Sequence, residues 1–141
     1  MPTHDPKLLE RCALAQRAAE ALLQALLDAL RRTLAEGSAD TALQRDQAHA
    51  HGVAWAATYV HALQQLLDWA VRLHNAGRLG ELEALLLYAA HAECLAQLAG
   101  GLPMSQGEMF RADSLDAAAV AAFAADPAVK ALRAQGFESA A

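Results

Sequence analysis

The chain has 141 residues, of which 55% are apolar, 5% aromatic and 19% charged, with 37 alanines, 24 leucines and no isoleucine. That length suits one domain, and a chain so rich in Ala and Leu and so poor in β-branched and aromatic residues is not a disordered tail, a disulfide scaffold or a β-rich fold. Eleven basic against sixteen acidic side chains leave a net charge of −5, and with Arg31-Arg32 as the one adjacent basic pair there is no basic stripe for a nucleic acid.

In chain order, the first helix is expected to start at Asp5-Pro6, a capping acid followed by proline at the first helical position. Leu23, Leu26, Leu27, Leu30 and Leu34 form its apolar stripe, and Glu36-Gly37-Ser38 should end it, with Gly37 in the left-handed region. A second helix is expected from Asp40-Thr41 to Asn75-Ala76-Gly77. Ala56, Tyr59, Leu63, Leu66, Leu67 and Ala70 share one face of it, with Gln65, Asp68 and Arg72 opposite. Gly52 is expected to bend or weaken this helix.

A third helix should run from Gly80 to Ala99 and stop at Gly100-Gly101. It carries leucines on nearly every side (82, 85, 86, 87, 95 and 98) and only a thin polar strip of Glu83, Glu93 and Gln97. A helix apolar all round is central or covered by another subunit, which predicts a homodimer with this helix near the seam. From Gly100 to Asp113 the chain reads as irregular, with capping-box spacing at Ser105 to Glu108 predicting a short helical turn and no β-hairpin signal. Ser114 is expected to cap an Ala-rich helix reaching Ala125, and Asp126-Pro127 to start a last helix stopped by Gly136. With few large apolar groups, that tail is expected to be the least stable part. The expected architecture is an all-α bundle of three long helices plus short C-terminal helices, dimeric, in one domain over 1–141.

The N-terminus lacks a signal-peptide layout, no run of about 18 apolar residues could span a bilayer, and Cys12 and Cys94 form no CxxC pair. The chain is accordingly expected to be cytoplasmic, with reduced thiols.

Candidate chemistry centres on His91, which falls among Leu87, Leu95, Leu98, Ala84 and Tyr88 on the helical wheel. A neutral imidazole in such a place needs a hydrogen-bond partner, a ligand or a metal. Cys94 at i+3 and Tyr88 at i−3 can share its surface. The set reads as a core histidine, as a ligand set for haem b or a transition metal, or as a thiol activated by an imidazole. His61, on the neighbouring helix at a similar level, could complete a two-histidine site with His91, although it shares its sector with Gln65, Asp68 and Arg72. His49 and His51, at i, i+2, project about 200° apart and read as solvated or capping groups. HExxH, paired ExxH and GxxxxGK[ST] motifs are missing. The Gly100 to Ser105 run reads mainly as a sharp turn, and Trp55, Tyr59 and Trp69 as packing residues.

The runs from His51 to Val60, from Gly77 to Glu81, and from Glu93 through Gly100-Gly101-Leu102-Pro103-Met104-Ser105-Gln106-Gly107-Glu108 resemble the helical N-terminal extension of (2S)-methylsuccinyl-CoA dehydrogenase and related long acyl-CoA dehydrogenases. The resemblance covers 46–111; 112–141 reads as an Ala-rich helical tail. It implies a helical accessory segment that, in the family, precedes a body carrying FAD, the CoA thioester and the catalytic carboxylate. No residue of that body has a counterpart here, so FAD is not expected and no catalytic residue carries over. Against the family pattern of an acidic, a small and an aromatic side chain, this chain has His61, His91 and Cys94. The expectation is a stand-alone interaction module that pairs with an acyl-CoA dehydrogenase-like partner. The alternatives are a haem or metal protein, or small enzyme, built on His91, and a cofactor-free apolar pocket.

Overall fold

The computed structural model describes residues 7–138. In chain order these form α1 (Leu8–Ala35), α2 (Ala39–Asn75), α3 (Glu81–Gly100), β1 (Leu102–Pro103), a 3₁₀ turn (Ser105–Gly107), β2 (Met109–Phe110), α4 (Asp113–Ala125) and α5 (Pro127–Glu138). The all-α bundle expected from the periodicity is what forms. None of these helices is long and apolar enough to cross a membrane.

α1 and α2 form the longest hairpin. Their connection turns at Gly37, whose φ of 111° is open to glycine at little cost. Along α1 the buried positions Leu8, Cys12, Ala15, Ala19, Leu22, Leu26 and Ala29 step by three and four. Across from them α2 contributes Val53, Ala56, Val60, Leu63, Leu67 and Ala70, so the predicted face of α2 is the inner one. The Asp5-Pro6 start signal lies outside the described residues. After Gly77, at φ 66°, α3 turns back and buries Leu87, His91, Leu95 and Leu98.

The last two helices close the core. α4 lies on α1, and α5 lies on α3 and α1. Val120, Phe123, Val129 and Leu132 are the anchors, the last two fully enclosed.

Local signals were misleading at four points. Gly52 does not interrupt α2, which is continuous through it. A Cβ at that position would run into the Phe110 ring, so glycine is what lets Phe110 lie directly on the helix backbone. Between α3 and α4, where no hairpin was expected, β1 and β2 pair antiparallel as Leu102 with Phe110 and Pro103 with Met109. Two residues per strand are too few to leave a period in the sequence. The short helical turn expected at Ser105 does form, as the 3₁₀ turn Ser105–Gly107, but without a side-chain cap and as a tight reversal, with Gln106 at φ 63° and Gly107 at φ 77°. The chain must double back there for both Leu102 and Phe110 to reach the core.

At the start of α4 the cap is Asp116 rather than Ser114. Asp116 leaves the helical region (φ −149°, ψ 89°), and its carboxylate accepts the Ala119 N–H at 2.9 Å. The Ser114 hydroxyl is instead donated to the Arg111 carbonyl at 2.6 Å. Asp126 does cap α5, its carboxylate accepting the N–H groups of Ala128 at 2.9 Å and Val129 at 3.1 Å. Gly136 does not stop that helix, which runs on to Glu138.

Candidate functional site

α3 places His91 on its inner face, between Leu87 one turn before and Leu95 one turn after, and the ring has no exposure at all. Its Nδ1 lies 2.9 Å from the Leu87 carbonyl oxygen. A carbonyl can only accept, so Nδ1 carries the proton and donates it. Nε2 is then an acceptor with a bare lone pair, and it has no hydrogen-bond partner. Burial holds the imidazole below its ordinary pKa, and the Leu87 hydrogen bond opposes that only in part. The site is a neutral, singly bonded histidine in a leucine cage.

Its expected companions are engaged elsewhere. Tyr88 donates its hydroxyl to the Leu132 carbonyl of α5 at 3.1 Å, tying α3 to α5. Cys94 is half-buried, and burial together with the Glu93 carboxylate pushes its thiol up. A thiol so shifted stays protonated near neutral pH and is a poor nucleophile. His61 is on the exposed face of α2, while His91 is enclosed. Among the described residues no group of three His, Cys, Asp or Glu side chains is arranged to hold a metal ion.

Of the other histidines, His51 pairs within α2 and His49 reaches across to α4. His51 Nε2 accepts the Trp55 indole N–H at 3.1 Å, with the two rings edge to face, and Trp55 lies against Tyr59 in turn. His49 Nδ1 is 3.8 Å from the buried Asp46 carboxylate, and its Nε2 is 3.4 Å from the Ser114 hydroxyl. His49 thus stands between α2 and the first turn of α4.

Two buried polar residues escaped the sequence reading. Gln16 is enclosed on α1 and donates its amide to the Val60 carbonyl of α2 at 3.1 Å and to Glu20 at 3.2 Å. Asp46 is enclosed on α2. The signal for Gln16 was its place in the stripe of Cys12, Ala15, Ala19 and Leu23; the signal for Asp46 was His49 at i+3.

No family model matches the chain, and no solved structure matches it either. The chain is similar to (2S)-methylsuccinyl-CoA dehydrogenase of Cereibacter sphaeroides, with 45% identity over 98 residues. Those residues make up 68% of this chain but only 18% of the enzyme, so the chain corresponds to a small part of its relative's length.

Proposed function

We propose that the chain acts as a helical accessory module that associates with an acyl-CoA dehydrogenase-like partner. The observation that carries this reading is the partial match: 45% identity with 18% of a dehydrogenase. Support comes from the packing. The runs that resemble the family extension supply Val53, Ala56 and Val60 of α2, Leu95 and Leu98 of α3, and Leu102 of the hairpin, all buried in one apolar cluster with α1, α4 and α5. In this reading flavin binding and acyl-CoA chemistry belong to the partner, and the module contributes recognition. The test is recovery of the affinity-tagged chain from its own cells. A co-purifying flavoprotein with acyl-CoA dehydrogenase activity supports the reading, and recovery without any flavin absorbance ends it.

A second reading rests on one atom. Nε2 of His91 is an enclosed lone pair with no partner, the kind of group that can ligate a transition metal or haem iron. Because the ring is fully enclosed, this reading requires the helices around it to part. An absorption spectrum with metal analysis of the purified chain separates the two. A Soret band or stoichiometric metal that disappears in His91→Ala favours the second.

A further inference from the structure

We propose that Asp46, His49 and Ser114 form a nucleophilic acyl-transfer site, in which Ser114 takes up the acyl group of a thioester or other activated ester. The cluster lies where α2 meets the first turn of α4. Ser114 Oγ is 3.4 Å from His49 Nε2, and His49 Nδ1 is 3.8 Å from the Asp46 carboxylate. Hydroxyl, imidazole and carboxylate thus stand in the order by which a serine is activated, with the base at Nε2 and its orienting anion at Nδ1. Exposure follows the same order. The Asp46 side chain is 6% exposed and that of His49 34%, while Ser114 is open to solvent. An enclosed carboxylate backs a half-buried ring, and the hydroxyl is the part a substrate can reach.

The fold brings the three together. Asp46 and His49 are three positions apart on α2 and share a face. Ser114 arrives 65 residues later. Phe110, four residues before Ser114, rests on Gly52, three residues after His49, so the contact that seats the hairpin on α2 also sets this cluster.

A carboxylate can only accept, so Asp46 draws the ring proton to Nδ1 and leaves the Nε2 lone pair towards Ser114. At rest the Ser114 hydroxyl is donated to the Arg111 carbonyl at 2.6 Å. Turning the hydroxyl hydrogen, with Oγ in place, redirects it to Nε2. Both spacings around the ring exceed those of a closed catalytic hydrogen bond, as is common before substrate binds. In the reaction Oγ bonds to the acyl carbon while its proton passes to Nε2. The bond from the acyl carbon to the thiol sulfur breaks, and the departing thiolate takes that proton. Water then attacks the acyl-serine, its proton returning to Oγ through Nε2, and the carboxylic acid leaves. The class of donor follows from the backbone. The N–H groups of Ser114 and Leu115 are held by the Arg111 and Ala112 carbonyls, so these two amides make no oxyanion hole. Without that stabilisation the leaving group must be a good one, which selects thioesters and aryl esters over peptides. The site needs no partner protein.

Two probes test this on the full chain, each with the adduct located by peptide mass spectrometry. A fluorophosphonate forms a P–O bond to an activated serine with loss of fluoride, and the acetyl thioester of N-acetylcysteamine offers the acyl group itself. Both are expected to modify Ser114 ahead of Ser38 and Ser105. His49→Gln, at a half-exposed position outside the apolar core, should slow phosphonylation of Ser114 about a hundredfold with an unchanged helical circular-dichroism spectrum. Asp46 acts through His49 and is a positioning residue. Asp46→Asn should slow labelling as well, and Asp46→Glu should recover part of the rate, which a purely structural carboxylate would not produce. Labelling spread evenly over the serines, or a Ser114 rate unchanged in His49→Gln, overturns the proposal. Phosphonylation of Ser114 with no acetyl transfer from the thioester overturns the assigned acyl donor.

Discussion

Replacing His91 by leucine should make the protein at least as stable near neutral pH and remove part of its sensitivity to acid. In the native state the imidazole is enclosed and neutral and makes one hydrogen bond, to Leu87, while Nε2 is unpaired. Leaving a buried acceptor unmade costs about 1–3 kcal/mol, and losing a neutral hydrogen bond costs about 1 kcal/mol. Leucine is close in volume, adds apolar contact with Leu87 and Leu95, and leaves no orphan. The net expectation is a gain of about 0–2 kcal/mol. The acid response follows from the lowered folded-state pKa. Above the unfolded-state value of 6.5, neither state holds the proton and pH has no leverage through this residue. Below it, the unfolded chain takes up a proton that the folded chain refuses. Stability then falls by up to about 1.4 kcal/mol per pH unit, until the depressed folded pKa is reached. Urea unfolding of parent and His91→Leu, at neutral pH and at successive points on the acid side, reads both effects. In the difference between the two proteins the other titrating groups cancel. If the variant loses as much stability on acidification as the parent, or is weaker by more than about 2 kcal/mol at neutral pH, the description of an enclosed, neutral, half-satisfied imidazole is wrong.

Gly52→Ala should cost about 1–3 kcal/mol by driving a methyl group into the Phe110 ring, and pairing it with Phe110→Leu should cost clearly less than the two changes summed, as read from denaturant midpoints. Additive losses would mean the two residues do not meet. Asp126→Ala removes the acceptor for two backbone N–H groups of α5 and should lower stability by about 1 kcal/mol; amide exchange should quicken first in α5, and an unchanged exchange pattern would count against the cap. With its thiol pushed up, Cys94 should alkylate with iodoacetamide at neutral pH more slowly than free cysteine, whereas faster labelling would revive it as a nucleophile.

Much of the bundle was legible because helices are local objects. The apolar stripes of α1 and α2 repeat every three to four residues, and Gly37 and Asp126 mark a stop and a start by contacts within a few positions. Such signals lie inside one turn of backbone, where sequence distance and spatial distance agree. His91 was legible in part: its neighbours at three and four positions are Leu87, Tyr88, Cys94 and Leu95, but with leucines on nearly every side of α3 the packing of the other helices decided that this face, and not that of Leu82 and Leu86, is enclosed.

Contacts that span long stretches of chain were decided by the fold. Gly52 reads as a weak point within α2 and becomes the seat of Phe110, 58 positions later, only once the β1–β2 hairpin is in place. The two-residue strands have no period to read, and their ladder exists because Leu102 and Phe110 are both drawn into the core. Ser114 was the cap read from the sequence, and the structure uses Asp116 instead, whose backbone leaves the helical region and whose carboxylate takes the Ala119 N–H, while the Ser114 hydroxyl goes to the Arg111 carbonyl. The amides of Gln16 and the hydroxyl of Tyr88 find their acceptors 44 residues away, on carbonyls that belong to other helices. Amino-acid order determined which segments coil and which face each hides, since those depend on spacing along one helix. Which buried polar group meets which partner was settled by the packing of helices against one another, since that pairing depends on angles and levels that no spacing within a single helix records.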